Sequence, residues 1–569
     1  MLLEKIKLDL AKSANKVLGK NLVKPEDFEY PPKGVSADLA LPVFKFAKQL
    51  KKSPTELITE LITEVKNKRI EKAEAKGAYI NFYFKKSEVA KEILKDVKSP
   101  TLHIGEGEKV MIEYVSPNSN KPLHLGHIRN AFLGEALSNI MGVCGYKVTR
   151  ACLINDRGVG VSKAMLAYKL WGKGDSPEKS GLKPDHFVGK YYVMFDKKKT
   201  PALEKQVQEL VKKWEAGDKE TMALWKKMQN WALQGYEKTY KRLGVKFDKI
   251  DKESDLYEDG RALVKEYFKK KKFKKDKKGN VVAKLSKCKL PDKIMLRADG
   301  TAIYSTTDLS LAKKRLEEGY KKAFYVVGSE QDLYFKQLFC VLENLGFKQD
   351  FKHLSYGLVE LPEGRMKSRE GTVVDADHLL EKVEELVAKE VKARNDFIKL
   401  SELESRTRII SLAALKFYIL NVNPKTKIKF NPKESINFTG KTGPYLLYSY
   451  ARLNSILHKN KTIGFNKTIG FTKPDSLDFS KMKDEEWKLV RELGKFEEAI
   501  SSACEGLDPE EISSYLYELA VKISDFYHKV RVLDAKPKEK ALRLAIIKKT
   551  LRTMEKGLGL LGIDVLEEM

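Results

Sequence analysis

The segment that most constrains the fold is an apolar run followed by a turn and a helix-like stretch. Residues 110–115, Val-Met-Ile-Glu-Tyr-Val, have the apolar and β-branched character of a buried parallel strand. The next residues, 116–127, read Ser-Pro-Asn-Ser-Asn-Lys-Pro-Leu-His-Leu-Gly-His, and apolar residues over 128–141 recur at helical spacing. The unpaired N–H groups and positive dipole end of such a helix N-terminus hold phosphate. This segment therefore predicts an α/β fold with an anion site.

Two histidines and a glycine give this turn its chemistry. His124 and His127 would add directed hydrogen-bond donors to the anion site. A glycine at Gly126 lets a nucleotide approach the backbone closely. The alternative is a surface turn with two satisfied imidazoles, but the position between a strand and a helix favours the functional interpretation.

The pattern along the 569 residues indicates three units. Strands and helices alternate from about residue 101 to 375, which predicts a doubly wound parallel sheet. Residues from about 172 to 292 are charged and mostly helical and end in a polar hairpin, so they are interpreted as an insertion. Residues 1–98 predict a small basic α+β unit, and the pattern over 376–569 is helical throughout.

The charge balance favours a polyanionic partner. The chain has 108 Lys and Arg against 79 Asp and Glu, a net charge of +29, which indicates nucleic acid first and an anionic membrane surface second. No apolar run approaches the roughly 20 residues of a membrane span, and charges interrupt any signal-peptide core near the start. Five scattered cysteines without a Cys-x-x-Cys pair argue against a zinc site and for a reducing compartment. We therefore expect a cytoplasmic protein that binds neither zinc nor membrane.

The second half of the α/β unit carries further polar signals. Residues 296–308 predict a strand, a turn and a second strand leading to a helix that begins near Asp308, where an Asp is first of all an N-cap. Residues 323–332 predict a buried strand with polar residues at its carboxyl end, the edge where open α/β sheets bind ligands. After another strand at 353–359, the loop 364–371, Gly-Arg-Met-Lys-Ser-Arg-Glu-Gly, suits a flap that closes over a triphosphate.

These motifs, in this order and spacing, resemble the arginyl-tRNA synthetases of class I. The resemblance covers nearly the full chain and includes Gly-Ala-Tyr-Ile-Asn-Phe at 77–82 and Thr-Gly-Lys-Thr-Gly-Pro-Tyr at 439–445. It implies a class I Rossmann-type catalytic domain at 101–375. An N-terminal additional tRNA-binding domain at 1–98 and an all-α anticodon-binding domain at 376–569 would flank it.

The resemblance implies an arginine–tRNA ligase that activates L-arginine with ATP and Mg²⁺ and then esterifies the 3′ end of tRNA(Arg). It implies a monomer. The implied catalytic residues are Lys121, His124, His127, Lys367 and Arg369. The implied ATP contacts are His124, Leu125, Gly126, His127, Gly357, Met366, Lys367 and Ser368. The implied arginine contacts are Glu113, Ser116, Asn118, Tyr304, Asp308 and Gln331. The implied tRNA contacts are Asn81, Tyr83, Tyr445, Tyr448, Arg452 and Met569.

Physical chemistry agrees with the implied arginine pocket. A guanidinium is a planar five-donor cation, so its pocket should offer carboxylates, and Glu113 and Asp308 can face one crevice. The alternatives are an ordinary strand-end residue for Glu113, an N-cap for Asp308 and a core aromatic for Tyr304. One departure concerns the flap, where Ser368 replaces the second lysine of the usual Lys-Met-Ser-Lys-Ser. By resemblance Lys121 compensates, and its alternative is a surface lysine.

Other functions and roles stay open from the sequence. Another class I synthetase, a small nucleotidylyltransferase and a tRNA-binding paralogue without catalysis share some of these features. The run 269–278 has eight lysines in ten positions, which indicates either a solvated hairpin or an RNA contact. The turn 155–158, Asn-Asp-Arg-Gly, either lines the site or only forms the turn.

Overall fold

The N-terminal unit is a three-stranded antiparallel sheet with helices packed against it. The computed structural model describes residues 2–32, 34–65, 67–95, 102–360, 374–394, 397–462 and 474–569. In this unit the elements are α1 (Leu2–Leu18), β1 (Leu39–Pro42), α2 (Phe44–Leu50), α3 (Pro54–Glu64), β2 (Ile70–Lys76), β3 (Tyr79–Phe84) and α4 (Lys86–Leu94). The sheet order is β1–β3–β2. The central strand β3 buries Ile80, Phe82 and Phe84, so the predicted mixture of helices and strands in this unit is confirmed.

The middle of the chain alternates strands and helices around a parallel sheet. Its first half comprises β4 (Lys109–Glu113), α5 (Leu125–Val143), β5 (Lys147–Ile154), α6 (Val159–Trp171), α7 (Pro177–Ser180), α8 (Pro184–Lys198), α9 (Pro201–Glu215), α10 (Lys219–Leu243) and β6 (Lys249–Lys252). Its second half comprises α11 (Tyr257–Lys269), β7 (Lys274–Lys275), β8 (Val281–Ala283), β9 (Lys293–Leu296), α12 (Tyr304–Glu317), β10 (Lys322–Gly328), α13 (Asp332–Asn344), β11 (Asp350–Tyr356) and β12 (Val359–Glu360).

Five parallel strands form the main sheet in the order β11–β10–β4–β5–β6. The first strand of the chain in this sheet, β4, lies between β5 and β10, and Glu113 at its end is in register with Tyr325. The direction of winding reverses at β4 and β10. The predicted fold class is therefore confirmed. In such doubly wound sheets ligands bind in the crevice at this switch point, which makes that crevice the candidate site.

Two local predictions differ from the structure. The strand β6 belongs to the main sheet but lies within residues 172–292, which the sequence assigned to an insertion. Its residues, Lys-Ile-Asp-Lys, form an edge strand whose polar composition gives no apolar signal. The segment before α12 is not a second strand, and α12 begins at Tyr304 rather than near Asp308. The Thr306 hydroxyl accepts a hydrogen bond from Ile303 N at 3.0 Å, so the predicted N-cap role of Asp308 is wrong.

The C-terminal unit is helical except for one short strand. Its elements are α14 (Ala376–Arg394), α15 (Leu400–Leu420), β13 (Ile428–Lys429), α16 (Pro432–Ser435), α17 (Gly443–Thr462), α18 (Asp484–Gly494), α19 (Phe496–Gly506), α20 (Glu510–Lys529) and α21 (Pro537–Leu560). Strand β13 pairs with β12 in parallel and joins the helical unit to the α/β unit. None of the helices in the described ranges has the length and apolar character needed to cross a membrane.

The cysteines depart from the expectation of unpaired thiols. Cys288 and Cys340 form a disulfide, whereas Cys144, Cys152 and Cys504 are free and buried. The paired residues are 52 positions apart in the chain. Only the packing of α13 against the small sheet β7–β8–β9 brings them together, so no sequence spacing could indicate the pair.

Candidate active site

The histidine turn places two neutral imidazoles at the N-terminus of α5. His124 is the N-cap residue, and its Nδ1 accepts from Gly126 N at 3.1 Å, while His127 Nδ1 accepts from His124 N at 3.1 Å. The two ring centroids lie 3.8 Å apart. Burial and then the charge of Lys121 lower the pKa of His124 to about 4, and burial lowers that of His127 well below its usual value. Because each Nδ1 accepts, each ring carries its proton on Nε2, which leaves two uncharged N–H donors at the helix end.

The structure shows a steric reason for glycine at position 126 in addition to the predicted approach of a nucleotide. A Cβ added to Gly126 would lie 2.9 Å from His124 Cε1. The glycine therefore makes room for the imidazole of His124 itself, folded back over the first turn of α5.

The chain before the histidines is held by the long helix α10. The Tyr236 hydroxyl lies 2.8 Å from the carbonyl oxygen of Asn118 and 2.7 Å from that of Lys121. Burial lowers the pKa of Lys121. Lys121 and His124 line one wall of a cavity of about 560 Å³, so the structure brings these two predicted residues together beside the helix end. Lys121 is half-buried, which disfavours its alternative role as a fully exposed surface lysine.

A strained turn shapes the switch point. Val115 and Ser116 both have positive φ, 68° and 40°, and Ser116 N donates to Tyr114 O at 3.0 Å. A β-branched residue in this region is rare and strained. Asn130 of α5 holds the turn, because its Oδ1 accepts from Val115 N at 2.6 Å and its Nδ2 donates to Val326 O at 2.7 Å.

Acidic side chains gather in the crevice beyond this turn. Asp308 of α12 accepts a hydrogen bond from the Tyr334 hydroxyl, and burial raises its pKa to about 7. Glu253, which follows β6, is 5% exposed, and burial and the charge of Asp308 raise its pKa to about 8. Among the described residues the Glu253 carboxyl has no hydrogen-bond or ion-pair partner, and the charge of Arg157 offsets only part of the rise in its pKa. Two carboxyl groups that burial and repulsion keep partly protonated form a site that a cation would stabilise.

Glu113 differs from these two acids because its charge is already matched. Its carboxylate forms an ion pair with the Arg315 guanidinium of α12, and both side chains are almost fully buried. Ser116 Oγ lies 3.4 Å from Glu113 Oε1 and accepts from Leu153 N at 3.1 Å.

Three family models cover most of the chain. The model of the "tRNA synthetases class I (R), catalytic domain" matches residues 88–431, the DALR anticodon binding domain matches 446–569, and the arginyl tRNA synthetase N-terminal domain matches 4–84. The chain belongs to the arginyl-tRNA synthetase family. This excludes the other class I synthetases and the small nucleotidylyltransferases left open by the sequence.

Individual relatives agree with this assignment. The arginine–tRNA ligase of Treponema denticola is 38% identical over 561 residues and covers 95% of each chain, and that of Porphyromonas gingivalis is 38% identical over 566 residues and covers 93% of each. Among solved structures, the Thermus thermophilus arginyl-tRNA synthetase superposes over the full length of both chains with a TM-score of 0.84 at 26% identity.

The other residues that the family resemblance implies for binding arginine and ATP either lie near the carboxyl edge of the main sheet or fall outside the described residues. Tyr304 begins α12 and is 59% exposed, so its alternative role as a core aromatic is wrong. Gln331 is exposed after β10. A Cβ on Gly357 would lie 2.6 Å from Thr426 O, and its carbonyl accepts from Arg129 Nη1 at 2.7 Å. The flap residues lie outside the described residues; these are Met366, Lys367, Ser368 and Arg369.

One predicted tRNA surface forms an aromatic–cation stack. The Arg452 guanidinium lies 4.8 Å from the ring centroid of Tyr448 and 4.4 Å from that of Tyr527 on α20. Tyr445, by contrast, packs against Tyr517, with 6.1 Å between ring centroids. Tyr527 was missed from the sequence because it lies 75 positions after Arg452 and no local spacing connects them.

The other residues predicted to contact tRNA are less accessible at the protein surface. Asn81 is 5% exposed in the central strand β3, which leaves its side chain little surface for RNA. Tyr83 on the same strand is half-buried, and Lys72 Nζ lies 4.5 Å from its ring centroid. Met569 packs against the apolar core of the helical unit.

Proposed function

We propose that the chain ligates L-arginine to tRNA(Arg) and that the two substrates of activation meet at the switch point between β4 and β10. The observation that carries this proposal is the unpaired, buried carboxyl of Glu253 beside Asp308, within the catalytic domain of the arginyl-tRNA synthetase family. Such a pair attracts a cation that brings its own hydrogen-bond donors, as a guanidinium does.

The arginine pocket would divide its acids by role. Asp308 and Glu253 would receive the guanidinium, because among the described residues neither forms a close ion pair and burial outweighs the cations near them. Glu113, already paired with Arg315, would present its outer oxygen and the adjacent Ser116 to the α-amino end of the substrate, together with Asn118. The exposed Tyr304 and Gln331 stand at the same edge of the sheet and would close the pocket.

Activation requires no nucleophile from the protein. The arginine carboxylate attacks the α-phosphorus of ATP, a bond forms between them, and pyrophosphate leaves with the electrons of the broken P–O bond. The Nε2–H donors of His124 and His127 would bind phosphate oxygens at the N-terminus of α5, where the helix dipole adds to them. Lys121 and the flap cations Lys367 and Arg369 would balance the charge that develops on pyrophosphate.

Magnesium would be held mainly by the triphosphate. It would neutralise phosphate charge when bound. Among the described residues, the one cluster with metal-ligand geometry is Asp185, His186 and Asp377, and the ammonium of Lys183 already bonds two of them, at 3.0 Å from Asp185 and 2.7 Å from Asp377. Phosphate oxygens and water therefore fit the cation better than this cluster.

Transfer to tRNA would use the surfaces on either side of the catalytic domain. Unpaired bases stack on aromatic rings and on guanidinium planes, so the stack of Tyr448, Arg452 and Tyr527 suits the anticodon loop. The net charge of +29 would add a salt-dependent attraction for the phosphate backbone. We place the protein in the cytoplasm and expect it to be a monomer. Light scattering after size-exclusion chromatography checks the monomeric state.

The test is arginine-dependent exchange of pyrophosphate into ATP, measured with and without tRNA(Arg). Exchange in either condition supports the ligase, and exchange only with tRNA would mean that the RNA completes the site. No exchange in either condition, with tRNA still bound, would identify a non-catalytic paralogue. The variant Glu253→Gln should raise the KM for arginine at least tenfold, whereas the matched control Asp259→Asn, an exposed acid on α11, should leave it unchanged.

A further inference from the structure

A short segment of chain fixes the backbone on both sides of His124. Leu125 N donates to Val374 O at 3.1 Å, and Ala376 N donates to Leu123 O at 3.0 Å. His124 and Asp375 face each other in this two-stranded pairing. The orientation of the imidazole at the start of α5 therefore depends on where residues 374–376 lie.

Residues 374–376 are in turn anchored to the helices α8 and α10. Asp377, the second residue of α14, is 5% exposed. Its carboxylate accepts from Lys183 Nζ at 2.7 Å, from Thr239 Oγ1 at 3.1 Å and from Arg242 Nη1 at 3.1 Å. Lys183 immediately precedes α8, and the other two donors are on α10. A single buried carboxylate thus joins three separate segments.

A second contact doubles the anchor. His186 Nε2 of α8 lies 3.1 Å from Asp375 Oδ2 and 3.5 Å from Asp377 Oδ2. Burial alone would lower the pKa of His186, but its contacts with these two carboxylates raise it to about 10. Burial alone would also raise the pKa of Asp377, but its bonds with His186 and Lys183 hold it well below the usual range. Both shifts favour the charged forms, which agrees with the short distances between the imidazole and the two carboxylates.

We propose that Asp377 is a positioning residue for His124, which it serves by fixing residues 374–376 to the helices α8 and α10. The proposal rests on the proposed function, because it assigns the anchored imidazole a part in activation. Asp377 touches neither substrate, so its loss should slow the chemical step and leave arginine binding intact. The arginine pocket is built from β4, β6 and α12, none of which contributes to the anchor.

The test compares Asp377→Asn with Glu390→Gln, which removes one charge from an exposed position on the same helix α14. We expect Asp377→Asn to lower kcat of arginine-dependent exchange at least tenfold with the KM for arginine within twofold of the parent. Glu390→Gln should change neither. A parent-like kcat in folded Asp377→Asn, or a KM for arginine that rises in step with the fall in kcat, would overturn the proposal.

A milder pair of variants decides the question if Asp377→Asn does not fold. His186→Gln removes the charged partner of Asp375 at a half-buried position, and His186→Lys restores a cation there. We expect a fall in kcat for the first and recovery for the second; parent-like activity in His186→Gln would then count against positioning.

A measurement that does not depend on enzymatic activity tests this proposal separately from the proposed function. The chain has eight histidines, so ¹⁵N-histidine labelling gives a small set of imidazole signals, and a His124→Asn spectrum assigns one of them. The His124 signals should shift in Asp377→Asn and stay in place in Glu390→Gln. An inactive parent would refute the ligase alone, whereas unshifted His124 signals would refute the anchor.

Discussion

Arginine affinity should depend steeply on pH because its pocket must lose protons to bind. In the free protein the pKa of Asp308 is raised to about 7 and that of Glu253 to about 8. A guanidinium stays charged throughout this range and stabilises the ionised carboxylates. Affinity should therefore rise with pH. If the two acids titrate independently and both must ionise, the gain from pH 6 to pH 8.5 is about 800-fold, or about 4 kcal/mol.

The charge-neutral variant Glu253→Gln separates the two acids. It removes one titrating group, so the same pH change should improve its arginine affinity only about tenfold, through Asp308 alone. Calorimetric titration with arginine in buffers of different ionisation enthalpy counts the released protons. At pH 6 we expect about two per arginine for the parent and about one for the variant. Asp259→Asn should behave as the parent.

Two outcomes would refute this reasoning. An arginine affinity that varies less than threefold between pH 6 and pH 8.5 would show that the guanidinium does not meet these acids. A Glu253→Gln variant that keeps the full pH dependence would show that Asp308 and another group carry it. Either result would redirect the search for the guanidinium partner to Glu113.

Three further predictions follow from buried or stacked charges. Arg315→Leu should lower the free energy of unfolding by about 3–5 kcal/mol, because it leaves buried Glu113 without its cation, and the thermal midpoint should fall accordingly. Adding Glu113→Leu should restore most of that loss. Burial lowers the pKa of Lys416 to about 8, so between pH 8 and 10.5 the unfolded chain binds more protons than the folded chain. The urea midpoint of unfolding should therefore rise with pH across that window, and Lys416→Met should lose this rise. Tyr527→Ala should weaken tRNA binding by about 1–3 kcal/mol in filter-binding titrations if one base stacks there.

Apolar continuity explains which elements could be predicted. The strands β4 and β10 and the helix α5 have long apolar patterns, because they lie in the interior of the α/β unit. The edge strand β6 has four residues, two of them lysines, and only its pairing with β5 makes it a strand. A prediction from periodicity therefore assigned it to the insertion.

Local hydrogen bonds explain the error at α12. An Asp before an apolar helical stretch is a strong N-cap signal, but Thr306 bonds Ile303 N first and starts the helix four residues earlier than Asp308. The error is informative, because an Asp in the second turn of a helix has no capping role. Its side chain is instead directed towards Tyr334 and the crevice.

Some members of the site left a signal in the sequence and others did not. Arg315 is seven residues after Asp308, so helical spacing puts both on one face of α12, and a partner for Glu113 could have been sought there. Glu253 has no such neighbour, since it reaches the pocket only through the placement of β6 at the sheet edge. Asn130 holds the strained turn from the second turn of α5, on the buried side of that helix, a position where a polar residue must find partners.

The pocket shows why an inventory of acids could not identify the arginine ligands. Glu113, Asp308 and Glu253 are all buried carboxyls at one edge of the sheet, yet among the described residues only Glu113 forms an ion pair, with Arg315. The charges of Arg315 and Arg157 only partly offset the effect of burial on Asp308 and Glu253. A buried charge that is matched internally contributes structure, whereas one left without a cation is costly until a ligand arrives. Raised pKa values keep that cost low in the free protein, and in the proposed pocket the carboxyls would hold protons until arginine displaces them. A planar donor fork fits two carboxyls better than a point charge does, so the proposal predicts that discrimination against lysine-like ligands depends on the relative placement of Asp308 and Glu253.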